Sequence, residues 1–103
     1  MAAEVKIRGR LSNGVADIKS LMPHPMETGT QRDPQGNLIP AHYIEKVVCF
    51  RNDQEVLSAD WGASVSKDPY FAFQVKNCSP GDVIRITWVD NKGESSSGEL
   101  VLK

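Results

Sequence analysis

The sequence predicts an all-β domain, an immunoglobulin-like β-sandwich of about seven antiparallel strands. Two observations carry that expectation. Short apolar or alternating runs recur between turn residues along all 103 residues. No segment shows the i, i+3, i+4, i+7 apolar stripe of an amphipathic helix. Frequent short strands bounded by glycine and proline turns favour a sandwich. The length suits a single domain over residues 1–103, large enough to bury a core without disulfide or metal staples.

The elements follow in order. Val5 and Ile7 alternate with Lys6 and Arg8, the period of two expected of a half-buried strand. Asn13-Gly14 reads as a hairpin turn, because both residues tolerate the positive φ it needs. Val15 to Met22 resumes an extended pattern. Ala41 to Phe50 is rich in β-branched and aromatic residues, and Asn52-Asp53 turns it back into Glu55 to Ala59. Tyr70 to Val75 puts Phe71, Phe73 and Val75 on one face. Pro80-Gly81 marks the next turn. Ile84, Ile86 and Trp88 alternate with Arg85, Thr87 and Val89. After Asn91-Lys92-Gly93, Leu100 and Leu102 belong to a last strand. The least regular stretch runs from Pro23 to Pro40 and holds Pro23, Pro25, Pro34, Pro40, Gly29 and Gly36. Proline fixes φ, so this reads as an ordered interaction loop joining two strands.

Composition excludes several classes. Twelve Lys and Arg against thirteen Asp and Glu give a formal net charge of −1, which argues against a broad basic face for nucleic acid. No stretch approaches the length of a membrane span. The N-terminal residues carry no apolar signal-peptide run, so on the residues alone the default compartment is the cytoplasm.

Candidate chemistry is sparse. No phosphate-cradling glycine motif occurs, and no Gly-x-Ser-x-Gly elbow. Ser20, His24 and Asp33 assemble into a hydrolytic triad only on paper. A sharper feature is Met22-Pro23-His24-Pro25-Met26, where an extended chain would present Met22, His24 and Met26 on one face. Two thioethers and an imidazole suit copper(I); the alternative is that both methionines fill the core and His24 caps the loop. Cys49 sits in an apolar run and reads as a buried thiol. Cys78 lies in the turn Asn77 to Asp82 and is expected at or near the surface, and a Cys49–Cys78 bridge stays open. Neither cysteine sits on a mobile, glycine-rich tether, and the chain ends in a strand-like Glu99 to Lys103. It is therefore better suited to scaffold than to covalent carrier. Tyr43, Tyr70, Phe71 and Trp88 exceed what one small interior needs, so part of this aromatic surface is expected to face a partner.

These residues together carry a resemblance. His24-Pro25-Met26-Glu27-Thr28-Gly29, then Arg32-Asp33, Gly36 and Ile39-Pro40, resembles the loop of the sulfur-oxidation SoxZ family. Ala59-Asp60, Asp68-Pro69-Tyr70-Phe71-x-Phe73 and Thr87-Trp88-Val89-Asp90-Asn91-x-Gly93 fall in that family's order and spacing. The likeness spans residues 14–93; Asp68 departs from the family's Asn-Pro-Tyr form. It implies a non-catalytic, immunoglobulin-like subunit of a heterodimer, with no cofactor. The implied partner is a SoxY-like chain that carries sulfur on the cysteine of a C-terminal Gly-Gly-Cys-Gly arm. It also implies transient contact with other sulfur-oxidation enzymes, and a periplasmic location reached by export with that partner. The expected partner interface comprises His24, Pro25, Met26, Glu27, Tyr43, Tyr70 and Trp88.

Overall fold

The computed structural model describes residues 4–103. Seven strands form two antiparallel sheets: β1 (Lys6–Ser12), β2 (Val15–Leu21), β3 (Ile44–Arg51), β4 (Gln54–Asp60), β5 (Tyr70–Val75), β6 (Val83–Asp90) and β7 (Ser95–Val101). One sheet has the order β1-β2-β5 and the other β4-β3-β6-β7. This is the expected sandwich. β3 pairs with β6, a non-consecutive neighbour, so connections pass between the layers rather than running as a simple meander.

The turns form where the sequence allows left-handed backbone. Asn13 and Gly14 take φ of 51° and 78°, and Asn52 and Asp53 take 50° and 66°. Positive φ at both central residues matches the strand twist of a two-residue hairpin. Alternation then decides the faces. Ile84, Ile86, Trp88 and Asp90 of β6 point inward and are all buried, against Ala16, Ile18 and Ser20 of β2. A bulge between Ile44 and Lys46 shifts the phase of β3, so that Val47 and Cys49 continue the buried row begun by Ile44.

The connections β2–β3, β4–β5 and β6–β7 gather at one end. Met22 N–H donates to Pro69 O at 3.0 Å, Trp61 N–H to Glu45 O at 2.8 Å, and Asn91 N–H to Tyr43 O at 3.0 Å. The proline-rich segment does join two strands and is ordered by its own backbone bonds. A bridge pairs Glu27 with His42, and a small hairpin closes between Arg32 and Leu38.

One expectation is corrected at the opposite end. Cys78 is buried, not superficial. Asn77 takes φ of 60° and Cys78 N–H donates to Gly14 O at 2.8 Å. That folds the turn back over the first hairpin and aims the thiol inward, where its S–H donates to Val75 O at 3.4 Å. Cys49 is buried as expected, and both thiols are free.

The layers meet at an edge that depends on Gly98. Val5 crosses β7 there, its N–H donating to Ser97 O at 3.2 Å, and a Cβ on Gly98 would collide with the Val5 carbonyl. Backbone cannot yield as a side chain does, so Gly98→Ala is expected to cost about 1–3 kcal/mol, read as a lower midpoint in urea. An unchanged midpoint would contradict this close approach.

Candidate functional site

The chemistry-bearing cluster lies at the end where the three connections meet, beneath the long loop. Asp90 ends β6 on its inward face, so its carboxylate enters the core with none of its side chain exposed. Such a group must be fully hydrogen-bonded to remain there. It is. Its Oδ1 accepts from Lys92 N–H at 3.0 Å and Glu94 N–H at 2.9 Å, which shapes the β6–β7 turn. Its Oδ2 accepts from His24 Nε2–H at 3.0 Å and His42 Nε2–H at 2.7 Å. One oxygen thus fixes a turn and the other fixes both ends of the proline loop.

The proton on His24 is placed by its other neighbour. Met26 N–H can only donate, and it lies 3.0 Å from His24 Nδ1. Nδ1 therefore keeps its lone pair for that bond, and the ring proton sits on Nε2, facing Asp90. Met26 reaches this geometry with φ of 48°. The backbone of His24 is held as well: its N–H donates to Asp68 Oδ1 at 2.9 Å, and its carbonyl accepts from Asp68 N–H at 2.9 Å. The ring stands edge-on to Trp88 at 5.0 Å and to His42 at 4.6 Å. Burial pushes the Asp90 carboxyl upward, but the bonds from His24, Glu94, His42 and Lys92 outweigh it and hold the group below the usual aspartate range.

This arrangement ties the fold, and its pattern of donors and acceptors does not suit a metal ion. His24, His42 and Asp90 bring ligand atoms within 4.8 Å of one another, and two imidazoles with one carboxylate would suit a divalent metal. A metal at His24 Nε2 would need that lone pair, moving the proton to Nδ1 against the Met26 N–H. The donor set does not fit. The copper set fails for the same reason and a second one. Met22 and Met26 are buried in the core, and the Met26 sulfur accepts Ile44 N–H at 3.3 Å. The methionines fill the interior, and His24 caps the loop.

The paper triad is also dispersed. Ser20 Oγ donates to Phe71 O at 2.7 Å, while Asp33 Oδ1 accepts from Gln35 and Asn37 N–H within its own hairpin. Of the expected interface residues, Pro25 and Tyr70 are exposed and Glu27 and Tyr43 are half-buried. His24, Met26 and Trp88 are buried in the isolated chain. Even numbering on β6 sends Trp88 inward, and Asp90 draws His24 down. They support the surface from beneath.

Local pattern assigns no role to His42, and Asp90 stands in the sequence only as part of the Thr87 to Gly93 motif. The signal was present. Asp90 continues the inward row of Ile84, Ile86 and Trp88, and a carboxylate in such a row demands donors. Which donors would arrive could not be read, because His24 lies 66 residues away.

Residues 5–101 match the family model described as Sulphur oxidation protein SoxZ. Comparison with curated proteins gave no match.

The tie predicts an acid-sensitive end. A carboxyl lowered by folding stabilises fully above its unfolded value, and that contribution is lost as pH falls through the lower folded value. Asp90→Asn sets an amide N–H₂ against ring donors and should cost about 3 kcal/mol at neutral pH. The gap from wild type should shrink as pH falls below the ordinary aspartate range. Urea titrations across pH would show it; a gap independent of pH would contradict the assignment.

Proposed function

The chain belongs to the SoxZ family of sulfur-oxidation proteins, the match covering residues 5–101, and from that premise we propose that it is the non-catalytic scaffold of a heterodimeric sulfur carrier. Its role lies in the sulfur-oxidation system. In this reading a SoxY-like partner bears the sulfur intermediate on the cysteine of a C-terminal Gly-Gly-Cys-Gly arm. The pair works in the periplasm and meets other sulfur-oxidation enzymes transiently.

One observation carries the scaffold role: the thiols here are unsuited to sulfur transfer. The nucleophile in that chemistry is a thiolate that a second molecule reaches. Burial first, and the neighbouring Cys78 second, push Cys49 up to about 11. Cys78 is buried with its S–H donated to a carbonyl. A reactive sulfur is therefore expected on another chain.

The loop end supports a docking role. Tyr70 is 63% exposed and Leu38 55% exposed, apolar area that a docked partner would cover. Glu27 Oε2 is buried with no hydrogen-bond partner, a cost that a donor on a docked chain would relieve. The Asp90 tie holds this surface in one shape before binding, which reduces the ordering cost of association.

Co-expression with a SoxY-like chain tests the proposal. The expected result is a one-to-one complex, with thiosulfate-derived adducts on the partner's arm cysteine only. Adducts that turn over on Cys49 or Cys78, or failure to associate, would overturn it. Within the complex, Tyr70→Ala should weaken association by about tenfold or more with little change in the melting temperature of the isolated chain.

A further inference from the structure

The two outer faces of the sandwich treat charge differently. On the four-stranded sheet, outward cations are matched across strands. Lys46 lies opposite Asp60 and Arg85 opposite Glu99. Arg85 also reaches Asp53 at 3.4 Å and covers the Phe50 ring at 4.7 Å.

On the three-stranded sheet Arg10 alone is so matched, by Asp17. Lys6, Arg8 and Arg10 of β1 and Lys19 of β2 are exposed, and none joins an ion pair among the described residues. The register sets Arg8 directly opposite Lys19. Like charges in that position repel and destabilise a sheet. On β5, the next residues along these rows are Ala72 and Gln74, which supply no countercharge. Asp17, opposite Arg10, is the one carboxylate in the cluster. Arg8, Arg10, Asp17 and Lys19 line one shallow concavity. The chain as a whole carries a formal net charge of −1, so this face reflects segregation of charge rather than an excess of it.

The geometry points to this face as an electrostatic docking surface for an acidic protein, one that presents clustered Asp and Glu side chains. Unpaired cations on a rigid sheet need no rearrangement to meet carboxylates, and complementary potentials speed encounter more than they tighten it. A protein is favoured over nucleic acid because Asp17 sits among the cations. A continuous phosphate backbone would lay charge across that carboxylate, whereas a protein face can leave a gap or a donor there. The surface goes beyond the proposed loop-end interface and does not depend on it.

The test uses the purified full chain and a labelled peptide of alternating glutamate and threonine, with duplex DNA and phosphatidylglycerol vesicles as comparison probes. The expected result is peptide binding that weakens steeply with added salt and exceeds binding to either comparison probe. Arg8→Glu with Arg10→Glu should reduce peptide affinity by about tenfold. Lys67→Glu with Lys76→Glu, the same change in net charge elsewhere, should change it by about twofold or less. Arg8→Glu alone should raise the melting temperature, because it replaces repulsion at Lys19 with attraction. Tighter binding to DNA or vesicles, equal losses in both double variants, or no salt-dependent peptide binding would each overturn the proposal.

Discussion

A single buried carboxylate organises the functional end of this molecule. Asp90 terminates an inward-facing row, and the core will not accept it unpaired. Its four donors come from the β6–β7 turn and from the two ends of the proline loop. Satisfying one charge therefore fixes two segments that lie far apart in the chain. The loop needs such a constraint, because its segment from Thr28 to Pro40 is largely exposed and contributes little to the core.

The same economy separates rigid surface from reactive atom. Both thiols are committed to the interior, and the imidazoles are committed to Asp90. What remains outside is shape, a few exposed apolar side chains and a patterned charge distribution. Those properties support the proposed scaffold role in the sulfur-oxidation family to which the chain belongs.

Much of the fold was legible because alternation, turn residues and β-branched content agreed at every level. The strands from Val15, Tyr70 and Ile84 lie close to where their patterns put them. Cys78 looked superficial because local composition does not show which way a left-handed residue such as Asn77 will turn the chain, whereas Trp88 is buried by the same alternation that buries Ile84 and Ile86. The φ values at Met26 and Asn77 decided both the copper-set geometry and the burial of Cys78. Of the site, His24 was legible as a loop cap. Its pairing with Asp90 and His42 was not, because that pairing depends on tertiary contacts across the sandwich.

The Asp90 carboxylate, rather than the loop's own prolines, holds the proline segment in place. Amide hydrogen exchange on the Asp90→Asn chain at neutral pH measures this directly, at the Glu27 and His42 amides that bridge the loop ends. In the variant these two amides lose most of their protection while those of β2 and β6 keep theirs. Protection at Glu27 and His42 equal to that of the wild type would contradict it.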